Sequence, residues 1–142
     1  MVEILLVEDS PSDALMTREA LQSSKVLNNL HIVDDGIEAL AFLRRQGKYA
    51  DAPRPGLVLL DLNLPRKSGL EVLNEVKNDP DLKLIPVVVL TTSKAENDIA
   101  QSYGAHANCY VTKPVEFCKL AEAVRGIRDF WLCLVTLPPE SE

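Results

Sequence analysis

Short apolar runs recur along the chain and are separated by longer stretches of mixed polarity. Most of these runs are continuous and do not alternate between apolar and polar positions. This pattern is typical of central strands in a parallel sheet, where both faces of the sheet are covered. It predicts five buried strands, at residues 4–7, 30–33, 57–60, 87–90 and 109–111.

The intervening stretches carry the boundary signals of helices. Ser10 followed by Pro11 places a capping hydroxyl before a proline that suits the first helical position. A serine followed three residues later by a glutamate has the spacing of a capping box, and a glycine commonly ends a helix. Further signals of these kinds are Ser68 with Glu71, Ser93 with Glu96, and Gly104 at the end of the fourth helix.

The last helical stretch has apolar residues at helical spacing, so one of its faces should pack on a core. These residues are Phe117, Leu120, Val124, Ile127 and Trp131. Alternating strand and helix units predict an α/β fold. We expect a doubly wound five-stranded parallel sheet of the flavodoxin-like order 2-1-3-4-5, with helices on both faces.

The composition is that of one globular domain: 142 residues, 46% apolar and 25% charged. We expect this domain at residues 1–130 and a C-terminal extension at residues 131–142. No apolar run approaches the ~20 residues that span a bilayer. The amino terminus also lacks the pattern of a secretory signal. We therefore expect no membrane partner and a cytoplasmic location.

Charge and cysteine content narrow the function further. The net charge is −6 and the basic residues are scattered, whereas nucleic-acid binders usually present a basic face. A nucleic-acid partner is therefore not expected. The cysteines at positions 109, 118 and 133 match no zinc-binding spacing, and we interpret them as ordinary thiols.

Acidic side chains follow two of the predicted strands. Glu8 and Asp9 come directly after the first strand, and Asp61 comes directly after the third. Ligands of open α/β sheets bind outside the carboxyl ends of the strands, where strand order reverses, which here is between the first and third strands. Three carboxylates should therefore meet in one crevice. They would repel each other unless a hard cation such as Mg²⁺ neutralised them.

The ends of the fourth and fifth strands add a hydroxyl, from Thr91, and a positive charge, from Lys113. This inventory fits phosphoryl transfer, which needs a nucleophile, a metal ion and fixed positive donors. Asp61 would be the nucleophile, Glu8 and Asp9 the metal ligands, and Lys113 and Thr91 the groups that hold phosphoryl oxygens. A flavin or nucleotide site is disfavoured because no glycine-rich phosphate-binding motif is present.

The same residues resemble the pattern of the receiver domains of two-component response regulators, over about residues 2–128. The matching elements are specific in combination and occur in the expected order. They are Glu8-Asp9, Asp61 in LLDLNLP, Pro65, Gly69, Thr91 in VVVLTTS, and Lys113-Pro114.

This resemblance implies a phosphoacceptor with a metal site. Asp61 would accept a phosphoryl group from a phosphohistidine of a sensor histidine kinase. Glu8, Asp9, Asp61 and the backbone carbonyl of Asn63 would bind Mg²⁺.

The resemblance also implies a conformational switch. Thr91 would move to bond the phosphate, Tyr110 would turn inward when Thr91 moves, and Lys113 would pair with Asp61 or its phosphate. The peptide bond between Lys113 and Pro114 is expected to be cis, as is usual in such domains.

Some features depart from the common pattern. Thr92 stands where a smaller residue is usual, which would alter access to the phosphoryl group, and Val115 stands where an aromatic residue is common. The long connection at residues 46–56 and the tail FWLCLVTLPP are similar to those of the small single-domain regulators that partner cyanobacterial phytochromes. A phytochrome is therefore the expected sensor kinase.

The tail is unusually apolar, and a complete sandwich of five units has little core left to bury it. Exposed apolar surface of this size usually marks an interaction site. We expect a two-fold symmetric homodimer with Phe130 and Trp131 at the interface. The alternative is that the tail folds back onto its own domain.

Two other functions fit parts of the pattern. A metal-dependent aspartyl phosphohydrolase also uses an aspartate nucleophile, but typically on the first strand and with a second aspartate two residues later. Here the aspartate follows the third strand and position 63 is asparagine. A phosphorylation-independent scaffold would not need the acidic pair, Asp61 and Lys113. We interpret the chain as a non-enzymatic phosphoacceptor, limited to its own phosphorylation and dephosphorylation.

Overall fold

Parallel strands form the sheet of the computed structural model, which describes residues 1–22, 27–114 and 116–139. The strands are β1 (Val2–Val7), β2 (Asn28–Val33), β3 (Leu57–Leu60), β4 (Val87–Thr91) and β5 (Cys109–Thr112). They pair in the order β2-β1-β3-β4-β5, and each pairing is parallel. The predicted topology is confirmed, with the reversal of strand order between β1 and β3.

Helices connect the strands. They are α1 (Pro11–Gln22), α2 (Gly36–Leu43), α3 (Gly69–Lys77), α4 (Glu96–Gly104) and α5 (Phe117–Arg128). A short 3₁₀ helix (Gly47–Tyr49) lies in the long connection before β3, and a π-helical segment (Asp129–Leu134) continues α5. Within the described ranges, no helix has the length and apolar character needed to cross a membrane.

Apolar clusters lie on opposite faces of the sheet, because successive side chains of a strand point to opposite faces. Leu5 and Val7 of β1 belong to the cluster that contains residues of α2 and α3. Ile4 and Leu6 belong to the cluster that contains residues of α1 and α5. All four side chains are buried. Burial on both faces explains why the strands are continuous apolar runs in the sequence.

The predicted helix boundaries are confirmed in part. The Ser68 hydroxyl accepts the Glu71 backbone N–H at 3.2 Å, as a capping box requires. The capping box predicted at Ser93 and Glu96 is wrong. There α4 begins one residue after Ala95, which has no capping side chain. The Ser93 hydroxyl instead donates to the Asp98 carboxylate at 2.6 Å, which is the stronger, charge-assisted bond.

The C-terminal tail packs on its own domain more than the sequence predicted. Trp131 is buried, and Leu132, Val135 and Leu137 pack against the same cluster as α1 and α5. The expectation that the sandwich leaves little core for the tail is therefore wrong, and for these residues the alternative holds: the tail folds back onto its own domain. The π-helical segment continues α5 and so keeps Trp131 on the buried stripe of that helix. Two large apolar side chains of the tail do stay exposed, Phe130 and Leu134.

Parts of the predicted pattern fall outside the description. Val115, the side chain of Phe117 and residues 140–142 of the extension lie outside the described residues. The boundary between a domain at 1–130 and an extension at 131–142 stays a prediction, although Trp131 belongs to a core cluster.

Replacing Trp131 by alanine is expected to lower the free energy of unfolding by about 3 kcal/mol, because a large buried side chain is lost and a cavity is left. Leu15→Ala is the control, because Leu15 is also a large apolar residue on a helix but is 57% exposed. It should change the free energy by no more than about 0.5 kcal/mol. Urea unfolding followed by circular dichroism measures both. Equal losses in the two variants would contradict the burial of Trp131.

Candidate functional site

Glu8, Asp9 and Asp61 lie together at the carboxyl edge of the sheet. Val7 of β1 pairs with Leu60 of β3, so the residues that follow these strands emerge side by side. Ligand oxygens of the three carboxylates all lie within 4.8 Å of one another. Glu8 and Asp61 are buried and Asp9 is exposed. The structure thus brings together the three carboxylates that the sequence placed in one crevice.

Lys113 reaches into this crevice from the end of β5. Its side chain is only 4% exposed, and its ammonium donates to Glu8 Oε1 at 2.5 Å and to Asp61 Oδ2 at 3.0 Å. A third bond goes to Asp13 Oδ2 at 3.0 Å. A lysine ammonium has three N–H donors. All three donors of Lys113 therefore have carboxylate partners.

Burial and the bonds between oppositely charged groups shift the pKa values of Glu8 and Lys113 in opposite directions. Burial of Glu8, with the nearby charge of Asp61, raises the pKa of Glu8 to about 7, although the bond from Lys113 opposes this rise. Burial alone would lower the pKa of Lys113. The bonds to Glu8 and Asp13 and the charge of Asp61 outweigh burial and raise that pKa. Lys113 is therefore a fixed positive charge in a crevice that has a surplus of carboxylates.

Thr91 ends β4 beside this crevice with its hydroxyl unused. The side chain is fully buried, and among the described residues its Oγ1 has no hydrogen-bond partner. A buried hydroxyl left without a partner costs about 1–3 kcal/mol. Such a group fits a site where a ligand oxygen completes the bonding. Thr92, which follows, is exposed.

Tyr110 connects β5 to the loop that follows Thr91. Its hydroxyl donates to the backbone carbonyl of Ser93 at 3.0 Å, and its backbone N–H donates to the Tyr103 hydroxyl at 3.2 Å. The side chain is half-buried. The bond to Ser93 links the Tyr110 side chain to a residue only two positions beyond Thr91.

The loop between β3 and α3 holds Asp61 from the other side. The Asn63 backbone N–H donates to Asp61 Oδ1 at 3.1 Å. Gly69, the first residue of α3, packs so closely that a Cβ atom there would lie 2.1 Å from the Asp61 carbonyl oxygen. Only glycine fits that contact, because any larger residue would push the start of α3 away from Asp61.

One implied feature is not observed. The bond between Lys113 and Pro114 is trans, because the described part of the chain contains no cis peptide bond. The expectation of a cis bond is therefore wrong. The trans form is the lower-energy state of such a bond, and in it the Lys113 ammonium still reaches Glu8 and Asp61.

Sequence reasoning missed Asp13, the third partner of Lys113. Asp13 lies in the first turn of α1, where an acidic residue is ordinary because it complements the helix dipole. The available signal was its position four residues after Asp9, which keeps it near the same strand end.

This chain belongs to the receiver domains of response regulators. The family model for the response regulator receiver domain matches residues 4–125, which include the strands and the acidic crevice described above. The chain is 55% identical over 135 residues to the response regulator Rcp1 of a Synechocystis species. That alignment covers 95% of this chain and 92% of Rcp1. The chain is therefore a two-component response regulator receiver domain.

Two solved structures are similar over nearly the whole chain. The Mn²⁺-bound form of Rcp1 matches with a TM-score of 0.96 and 53% identity, over 98% of this chain and 100% of that one. RcpA, a cyanobacterial phytochrome response regulator in its phosphorylated form, matches with a TM-score of 0.95 and 53% identity. That match covers 97% of this chain and 99% of RcpA. The acidic crevice and the Mn²⁺-bound relative together support divalent metal binding here.

Proposed function

We propose that Asp61 is the phosphoacceptor of this receiver domain. The observation that carries the proposal is the position of its carboxylate, which lies 3.0 Å from the Lys113 ammonium and beside the oxygens of Glu8 and Asp9. A carboxylate oxygen of Asp61 would attack the phosphorus of a phosphohistidine in a sensor histidine kinase. The new P–O bond forms as the P–N bond breaks, and the histidine nitrogen leaves with the electron pair.

Glu8, Asp9, Asp61 and the backbone carbonyl of Asn63 are the groups that would hold Mg²⁺. The fit is chemical, because these donors are all oxygens and the three carboxylates lie within 4.8 Å of one another. When bound, Mg²⁺ would neutralise charge on the phosphoryl oxygens. Lys113 would supply a second positive charge at Asp61 that does not depend on the metal.

Thr91 and Tyr110 would convert phosphorylation into a changed surface. The free Thr91 hydroxyl can donate to a phosphoryl oxygen on Asp61, which would satisfy its unused donor. To make this bond Thr91 would move toward Asp61, and the loop that follows it would be displaced. The Ser93 backbone carbonyl in that loop now accepts a hydrogen bond from the Tyr110 hydroxyl. Loss of this bond would free Tyr110 to turn inward, and partners would read the altered surface around α4 and β5.

The partner that donates the phosphoryl group is a sensor histidine kinase, and we infer that it is a phytochrome. RcpA is a cyanobacterial phytochrome response regulator, and it is 53% identical to this chain over nearly its full length. We place the reaction in the cytoplasm. The three cysteines are free thiols, which fits a reducing compartment.

Intact-mass spectrometry after incubation with a small phosphodonor tests this function. In the presence of Mg²⁺ the protein should gain the mass of one phosphoryl group, and peptide mapping should locate it on Asp61. Excess chelator should prevent the gain, because the crevice then repels the phosphoryl anion. Labelling at another residue, full labelling in chelator, or continuous turnover of phosphate esters at enzyme-like rates would contradict the proposal.

A homodimer is the second part of the proposed function. Phe130 and Leu134 lie four residues apart on the π-helical segment and are 49% and 74% exposed. Such spacing puts both on one face of the segment. Trp131, the other predicted interface residue, is buried in its own domain and would support the interface from behind; its ring contacts that of Phe130.

Changing both Phe130 and Leu134 to glutamate should therefore convert a dimer to a monomer in light scattering at micromolar concentration. In a two-fold symmetric dimer both subunits carry the same substitutions, so the new glutamates of one subunit would face those of the other and repel them. Ile37→Glu is the control, because Ile37 is also exposed but lies on α2, on the opposite face of the sheet. A wild-type monomer, with or without phosphorylation, would refute the dimer. A dimer that survives the double change would remove the tail from the interface.

A further inference from the structure

Asp13 contacts the reacting cluster without taking part in the chemistry proposed above. Its carboxylate accepts a hydrogen bond from Lys113 at 3.0 Å, across 100 positions of sequence. It lies on α1, whereas Glu8 and Asp61 follow strands. It does not belong to the group of carboxylates that could share a metal ion within the described residues.

The local structure of the α1 terminus explains why Asp13 is available. Ser10 caps the helix, and its hydroxyl accepts the Asp13 backbone N–H at 3.4 Å. An acidic residue at this position of a capping box normally bonds the backbone N–H of the capping residue. That N–H is already taken, because Ser10 donates it to Glu8 Oε2 at 3.2 Å. The Asp13 carboxylate is therefore released from capping and can turn to Lys113.

The three acceptors of Lys113 have different fates during phosphoryl transfer. Asp61 becomes the acyl phosphate, and Glu8 shares its oxygens with the metal site. Asp13 is the acceptor that keeps both its charge and its place on a helix. With Asp13 present, the ammonium stays anchored while one of its donors remains directed at Asp61 and its new oxygens.

We propose that Asp13 is a positioning residue that holds the Lys113 ammonium over Asp61 during phosphoryl transfer. The inference rests on the proposed function of Asp61. Its effect is exerted through Lys113, so it should depend on the hydrogen bond that Asp13 accepts and not on charge alone.

Asp13→Ala and Asp13→Asn separate the hydrogen bond from the charge. The alanine variant loses both, and its phosphorylation by a small phosphodonor at saturating Mg²⁺ should slow by about tenfold, as expected for a lost charge-assisted bond. The asparagine variant keeps an acceptor oxygen, and its rate should stay within about twofold of wild type. Glu19→Gln, also on α1 but exposed, removes a charge without this contact and should have no effect.

A second measurement reports on Lys113 itself. The NMR signal of its side-chain ammonium, assigned by its loss in Lys113→Ala, should be protected from solvent exchange in wild type and in Asp13→Asn. It should exchange faster in Asp13→Ala, even if that variant keeps its helix content. A purely structural role for Asp13 would leave this signal unchanged.

The inference fails if Asp13→Ala has the wild-type rate and ammonium signal, or if the alanine and asparagine variants change equally. Failure of the proposed function is distinguishable, because wild type would then take up no phosphoryl group on Asp61 at all. A wild type that is labelled normally beside unaffected Asp13 variants overturns the positioning role alone.

Discussion

The Asp61→Asn variant is expected to take up no phosphoryl group while keeping the wild-type fold. Asparagine has no carboxylate to attack phosphorus, and its Oδ1 can still accept the Asn63 backbone N–H. The bond from Lys113 to Oδ2 is lost, because that oxygen is replaced by an amide N–H₂, but Lys113 keeps Glu8 and Asp13 as acceptors. Removing one of three clustered negative charges also relieves repulsion, so stability without metal should not fall. Mg²⁺ should bind more weakly, because one charged ligand is lost.

Asp34→Asn is the matched control for this change. Asp34 follows β2 at the same edge of the sheet and is exposed, and it lies outside the carboxylate cluster. Intact-mass spectrometry should show full labelling of the control and none of Asp61→Asn. Stable labelling of Asp61→Asn, or loss of labelling in Asp34→Asn, would show that the acceptor has been assigned to the wrong residue.

The Lys113→Ala variant is expected to fold but to lose the link between phosphorylation and the change of conformation. Without Mg²⁺ its free energy of unfolding should fall by about 3 kcal/mol, because two buried carboxylates lose their shared cation. Mg²⁺ should restore much of this stability and bind more tightly than to wild type. The crevice of the variant has lost a positive charge that competes with the metal.

Calorimetric titration with Mg²⁺ and NMR of the backbone amides around Thr91 and Tyr110 check both parts. Lys119→Ala is the control, because Lys119 is a lysine of α5 that is 60% exposed and should matter little. If Lys113→Ala showed the wild-type pattern of amide shifts on phosphorylation, Lys113 would have no role in the switch. Weaker Mg²⁺ binding in Lys113→Ala would contradict the electrostatic argument.

The sheet and its reactive edge could be predicted from sequence because both depend on strong, local signals. A strand such as β3 is buried on both faces, and its four apolar residues end directly at Asp61. The parallel order then dictates that Glu8 and Asp61 emerge together, which the register of Val7 with Leu60 confirms. Neither step requires knowledge of side-chain orientation.

The features that were missed depend on competition between partners that a sequence pattern does not show. Ser93 could cap a helix, but the nearby Asp98 carboxylate is the better acceptor for its hydroxyl. Asp13 could accept the Ser10 backbone N–H and so cap its own helix, but that N–H already donates to the Glu8 carboxylate. The tail could extend away, but the π-helical continuation of α5 turns Trp131 into the core.

The burial of Trp131 also determines what fluorescence can report for this protein. It is the only tryptophan in the chain. The 12 residues of α5 run from the end of β5 back along the sheet and carry the chain about 18 Å from the acidic edge before the indole is reached. Metal binding at Glu8 and Asp9 is therefore too remote to quench this indole directly. Its emission reports how the tail packs on the domain. Any change in tryptophan fluorescence on phosphorylation would therefore record a conformational change transmitted through the domain to its far end.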